Sequence, residues 1–179
     1  MAQYVALLRG IGPLNPNMRN EKIRAVFEGL GLVDVQTVLA TGNVLFESNR
    51  RDTAQLESDI EAALQPQLGF HSTTVVRTRQ QMQSLLLTHP FESMLYSKKT
   101  NLNVTFLKKA ASTRWQFPYK NPDKTYTVLA MQDMAVFSVV DLTGAKTPDL
   151  MVRLEKEFGK DITTRSWNTV QKIIKKWEG

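Results

Sequence analysis

The chain reads as an α+β protein made of two modules with the same order of elements. Two observations predict this. Short runs of apolar β-formers alternate with stretches whose apolar residues recur every three to four positions. The order β-α-β-β-α-β, followed by a helix, occurs over residues 1–90 and again, less clearly, over 91–179.

In the first module Gln3–Leu8 is a buried strand, carrying Tyr4, Val5, Leu7 and Leu8. A loop with Gly10, Gly12, Pro13 and Pro16 follows. Ile23, Val26, Phe27 and Leu30 then fall on one helix face, and Gly31 suits the left-handed C-cap. Asp34–Thr41 and Asn43–Ser48 predict a hairpin turning at Gly42. Asp52 with Gln55 resembles a capping box, opening a helix of Leu56, Ile60, Ala63 and Leu64 that ends before Pro66. Ser72–Arg77 is a strand, and Thr78 with Gln81 caps a helix of Met82, Leu85 and Leu86. Pro90–Thr100 is a connector.

The second module opens with the strand Asn101–Leu107 and a short helix over Ala110–Trp115. Thr125–Met131 and Met134–Asp141 form a hairpin around Gln132-Asp133. Thr147, Pro148 and Asp149 predict an N-cap, a first helical position and a first-turn acid. That helix carries Leu150, Val152, Leu154 and Phe158 and stops at Gly159. A strand near Ile162–Arg165 precedes a last helix with Val170, Ile173, Ile174 and Trp177 on one face. The expected architecture is therefore two tandem ferredoxin-like modules packed together, 1–90 and 91–179.

Charge divides unevenly between them. The whole chain carries Lys+Arg 23 against Asp+Glu 17, a net of +6. Residues 1–90 are neutral, and the entire excess lies in 91–179. Such asymmetry suits an anionic partner, or simply a solubilising surface. Absence of cysteine excludes disulfides, thiolate metal sites and cysteine nucleophiles. No apolar run reaches the ~20 residues of a membrane span, and Met1–Arg9 has no leader character, so the expected compartment is the cytoplasm.

Three stretches stand out together: Tyr4-Val5-Ala6-Leu7-Leu8-Arg9-Gly10-Ile11, Thr41-Gly42-Asn43-Val44-Leu45-Phe46 and Thr164-Arg165-Ser166-Trp167-Asn168-Thr169-Val170. In order and spacing they resemble the bacterial domain of unknown function 1697 family. The resemblance implies a pair of fused ferredoxin-like modules and carries no established activity. Two departures matter. Gly12-Pro13-Leu14-Asn15 stands where the family usually has Asn followed by Val-Gly-Gly, and Ser166 stands where it usually has Asn.

Topology brings the first two motifs together. If strands one and two run parallel, the end of strand one meets the following hairpin. That edge gathers Arg9, Gly10, Gly12, Thr41, Gly42 and Asn43, with His71 near. A guanidinium beside glycine-rich backbone and a helix start makes an anion site. The competing reading has Arg9 paired internally and Gly42 and Asn43 serving only the turn. In the third motif Arg165, Trp167 and Asn168 are ligand-binding candidates. Asn168 with Gln171, or Ser166, caps the last helix, and Trp167 reads first as a packing residue.

Other chemistries fall away. Gly10-Ile11-Gly12 lacks the third glycine and the ribose-binding acid of a dinucleotide fingerprint. No Walker lysine, H-E-x-x-H or G-x-S-x-G occurs. His71 and His89 share no metal-ligand spacing; no cofactor or metal is expected. Trp115, Phe117 and Tyr119 beside Arg114 and Lys120 are the best nucleic-acid signal, against packing of a connector. Three readings stay open: a binding module for an anionic small molecule or nucleic acid, an enzyme on a small anionic substrate at the Arg9/Asn43 edge, and an assembly module using exposed strand edges.

Overall fold

The computed structural model describes residues 1–94, 98–144, 146 and 148–179. Among these the chain is α+β, with two antiparallel sheets and five helices. It divides into two compact units, Met1–Ser84 with Lys172–Gly179, and Leu85–Gln171. The C-terminal residues 172–179 thus lie with the first unit, and the second unit ends at Gln171 rather than at the expected 179.

The first unit contains β1 (Ala2–Leu8), α1 (Asn20–Gly29), β2 (Val33–Thr37), β3 (Asn43–Ser48), α2 (Thr53–Leu68) and β4 (Thr74–Thr78), and α3 (Arg79–Leu87) begins within it. The sheet order is β2-β3-β1-β4, every neighbour antiparallel. Tyr4, Ala6 and Leu8 of β1 join Val44, Phe46 and Val76 in a core with Ile23, Phe27, Leu56 and Ile60. Val5, Leu7, Leu45 and Val75 on the opposite face are buried too. A strand buried on both faces has no reason to alternate, which is why β1 reads as one continuous apolar run.

Caps account for most helix ends. Gly31 (φ +77°) closes α1: its N–H donates to Glu28 O and the Leu32 N–H to Phe27 O. These are the two bonds of a Schellman ending. The Asp52 carboxylate accepts the Gln55 N–H at 3.0 Å and starts α2, but the Gln55 amide turns to Asp59 rather than back to Asp52. α2 runs through Pro66 to Leu68, past its expected end, and stops at Gly69 in the left-handed conformation. In the last turn, proline's missing N–H frees only one carbonyl close to the helix end. Thr78 and Gln81 exchange bonds at 3.1 and 2.8 Å, the full reciprocal box that opens α3.

The hairpin differs most from expectation. β2 ends at Thr37, not Thr41, and Val38–Gly42 form a loop. Asp34 (φ +49°) and Leu39 (φ +60°) break the extended run, and the register shifts between Val33 and Gln36.

The second unit holds β5 (Thr100–Leu107), β6 (Tyr119–Lys120), β7 (Tyr126–Gln132), β8 (Ala135–Asp141), α4 (Leu150–Phe158), β9 (Ile162–Ser166) and the start of α5 (Trp167–Lys176). Its sheet order is β6-β7-β8-β5-β9. No helix forms over Ala110–Trp115: the segment is irregular and leads into β6. Here Trp115 stacks on Tyr119 (4.9 Å, 6°) and meets Phe158 edge-on, so tertiary packing overrides a weak local helical pattern. The β7–β8 turn sits one residue later than expected, with Asp133 and Met134 both at positive φ, as a two-residue turn requires. α4 starts at Leu150 with Asp149 at its N-cap position, so Pro148 precedes the helix. Thr147, expected as the cap, lies outside the described residues, as do Leu95–Ser97 of the connector.

One set of features recurs in both units. Val5 of β1 pairs with Leu45 and with Arg77; Val104 of β5 pairs with Phe137 and with Arg165. Each arginine is buried and donates to the carbonyl of the residue before it at 3.0 Å. Each is followed by the hydroxyl residue that caps the next helix, Thr78 for α3 and Ser166 for α5. Met82 and Leu85 in the one helix, Val170 and Ile173 in the other, follow at the same spacing and are buried.

Candidate functional site

At the end of β1 the chain is fastened to its neighbours by backbone bonds. The Leu8 N–H donates to Gly42 O at 2.8 Å, and the Arg9 N–H donates to Thr73 O at 2.9 Å. The Ser72 hydroxyl donates to Arg9 O at 2.8 Å. From the start of α1, Asn20 donates its side-chain amide to Leu39 O at 3.0 Å. The β1–α1 loop, the β2–β3 loop and the entry to β4 therefore meet around Arg9, as the antiparallel order requires.

Gly42 and Asn43 hold this frame. Gly42 has φ +79°, and a Cβ there would lie 2.7 Å from Ile11 Cγ1 and 2.9 Å from Leu8 O. Only glycine lets the two loops approach so closely. Asn43 is 1% exposed, and its side-chain amide donates to Val38 O at 2.9 Å and to Thr41 Oγ1 at 3.0 Å. Its first task is to close the five-residue loop that replaces the expected tight turn of the hairpin. Gly10 (φ +76°) has open space around it, and Gly12 accepts the Asn15 N–H. Arg9 is half-buried and Thr41 exposed.

Arg165, Trp167 and Asn168 belong to the second unit. Arg165 lies in a row with Val104 and Phe137. Its guanidinium donates to Thr163 Oγ1 at 2.7 Å and to Thr164 O at 3.0 Å. Burial among apolar neighbours lowers its pKa to about 10. Trp167 opens α5 and packs edge-on against Phe91 at 5.3 Å. With Leu86, His89, Met94 and Leu102 it lines a cleft of about 430 Å³. Asn168 is exposed, and the cap of α5 is Ser166, which accepts the Thr169 N–H at 3.2 Å. Among the described residues no group of three or more His, Asp or Glu is placed to hold a metal.

A family model for a protein of unknown function (DUF1697) matches residues 1–137. The chain belongs to this family. The matched span contains the Arg9 frame and stops short of Arg165, Trp167 and Asn168. No curated protein matches the chain. Among solved structures it is similar to a conserved bacterial protein, SP0830, from Streptococcus pneumoniae, with a TM-score of 0.71 and 18% identity, over 100% of this chain and 99% of that one. At that identity the likeness concerns the fold.

Sequence reasoning missed a second polar cluster, in the second unit. Tyr119 of β6 pairs with Val128 of β7, so Tyr119 and Tyr126 share one sheet face, the face covered by Leu150 and Leu154 of α4. Arg153 of α4 donates to the Tyr119 hydroxyl at 3.3 Å. The Tyr126 hydroxyl is buried and has no hydrogen-bond partner. Burial raises its pKa, with Asp149 and Tyr119 adding to the rise. The nearby Arg153 opposes it, though no contact between Arg153 and Tyr126 meets hydrogen-bond geometry. The signal was the 119-to-126 spacing across a tight strand pair, legible only once β6 is known to exist.

Proposed function

We propose that this chain is a binding module for an anionic ligand, a nucleotide, phosphorylated metabolite or RNA, and that the Arg9 edge of the first unit receives it. The observation that carries the reading is the frame around Arg9. Three loops are locked together by hydrogen bonds of 2.8–3.0 Å, with the half-buried residue Arg9 and glycine-lined backbone at their meeting point. A preorganised cationic rim loses little entropy when an anion docks. Thermal denaturation with inorganic phosphate, nucleotides and tRNA tests it. A true ligand raises Tm by mass action, its effect weakens with salt, and Arg9→Gln removes it. Absence of any stabilisation, or stabilisation that survives Arg9→Gln, overturns it.

We read the two units as tandem ferredoxin-like modules. The orders β2-β3-β1-β4 and β7-β8-β5-β9 are the same permutation, and the repeated Val–Arg–hydroxyl cap pattern supports a common module. The cytoplasm is the compartment we assign; no helix among the described residues is long and apolar enough to cross a membrane. Assembly through the first sheet is the weaker alternative, because both of its edges are blunted, β2 by its register shift and β4 by two carboxylates from α2.

A further inference from the structure

We propose that Tyr119, Tyr126 and Arg153 form an oxyanion-binding site in the second unit, suited to a phosphate or a phosphate monoester and independent of the Arg9 edge.

The argument starts from a count of donors. Three elements, β6, β7 and α4, bring two phenols and a guanidinium together on one face. A guanidinium has five N–H donors and no acceptor. One N–H goes to the Tyr119 oxygen, and no ion pair engages Arg153 among the described residues. Tyr119, having accepted from Arg153, keeps its own proton to donate. Tyr126 is 2% exposed, and its hydroxyl oxygen has no partner. A buried hydroxyl left unpaired is costly, so such a group in a folded protein calls for an account. The cluster is thus rich in donors and short of acceptors, which is the composition an oxyanion completes.

The surroundings fit. Tyr119 is held in place by its stack on Trp115, which is packed in turn against Phe158. Arg153 lies in the first turn of the nine-residue helix α4, whose N-cap side chain makes no capping bond. The positive end of that helix dipole therefore adds to the guanidinium. The second unit, Leu85–Gln171, carries 12 Lys+Arg against 8 Asp+Glu, a net of +4 that draws anions toward it. One group opposes binding: Asp149, exposed at the N-cap, acts electrostatically on the same phenol. The Tyr126 oxygen is closed to solvent, so an incoming oxygen reaches it only as neighbouring side chains shift. Arg153 is held by one long bond of 3.3 Å and is the group best able to move.

The alternative is that Asp149 turns inward and its carboxylate accepts a hydrogen bond from the Tyr126 hydroxyl. Titration of the ¹⁵N-labelled chain with inorganic phosphate, against chloride at matched ionic strength, separates the two. The site predicts saturable shifts at the amides of Tyr119, Tyr126 and Leu150–Arg153. Arg153→Gln and Tyr126→Phe each weaken binding roughly tenfold, the size of one charge-assisted hydrogen bond. Asp149→Asn tightens it, and Arg9→Gln leaves these shifts intact. Tyr126→Phe keeps the ring and the core, so its folding is not in question. No saturable shift, shifts that persist in both Arg153→Gln and Tyr126→Phe (an adventitious ion only), or an Asp149→Asn variant that loses rather than gains affinity would each overturn the proposal.

Discussion

The Glu57 carboxylate on α2 accepts the Val76 N–H of β4 at 2.8 Å, and Glu61, one helical turn on, accepts the Thr74 N–H at 2.8 Å. Four residues of helix rise 6 Å and two residues of strand rise about 6.6 Å, so an i,i+4 pair on α2 matches an i,i+2 pair on β4. The outward N–H groups of an edge strand, otherwise a template for another chain, are thereby used up.

Glu57 also offsets the buried charge of Arg77, whose pKa burial lowers and Glu57 raises. Glu57→Ala removes both interactions and is expected to cost about 3 kcal/mol in urea denaturation. Glu61→Ala, at a half-buried position, should cost about 1 kcal/mol. The double variant leaves the β4 edge open, and light scattering should show association that the single Glu61 variant does not.

Gly42 and Gly10 separate backbone strain from steric clash. Both have positive φ, but only Gly42 would place a Cβ against Ile11 and Leu8. Gly10→Ala should cost about 1 kcal/mol for its φ alone. Gly42→Ala should cost about 3 kcal/mol, because the clash adds to the same strain. Equal losses for the two variants would show that the loops do not press together as described.

Asn43→Asp keeps the shape of the side chain and removes both donors. With Val38 O and Thr41 Oγ1 deprived of their partner and a charge buried, a loss of about 3 kcal/mol is expected. Amide exchange across Val38–Gly42 should quicken more than exchange in β1.

Tyr126 predicts an alkaline effect. Burial, with Asp149, raises its pKa above the ordinary 10.0, because the fold disfavours the phenolate. Its stabilising contribution is therefore complete below the unfolded value and is lost as pH rises through the folded one. Ultraviolet titration should show one phenol ionising late, and Tyr126→Phe should abolish that late step and flatten the alkaline fall in stability.

The Schellman ending at Gly31, the box between Thr78 and Gln81 and the helix stop at Gly159 were all legible, because each depends on residues within six positions. The same holds for the meeting of the Arg9 loop with the β2–β3 loop, which follows from strand order alone. The helix expected over Ala110–Trp115 was not recoverable from the sequence, since what decides that segment is Trp115 against Tyr119 and Phe158. Nor was the role of Asn43 as the clasp of a five-residue loop, which depends on positive φ at Asp34 and Leu39. The repeat of Arg77-Thr78 in Arg165-Ser166 is hidden at the level of residue types because only the arginine is identical. The rest is shared chemistry of hydroxyl caps and apolar spacing.

By itself the sequence determined the α+β class, the neutral first half and basic second half, and the convergence of Arg9, Gly42 and Asn43. Periodicity, caps and strand order are short-range properties that residue types carry directly. Tertiary structure alone decided that Arg165 is a buried arginine like Arg77, that residues 172–179 return to the first unit, and that Tyr119, Tyr126 and Arg153 stand together. Each depends on side chains distant in sequence that meet only when sheet and helix pack, and there desolvation and shape outweigh local preference.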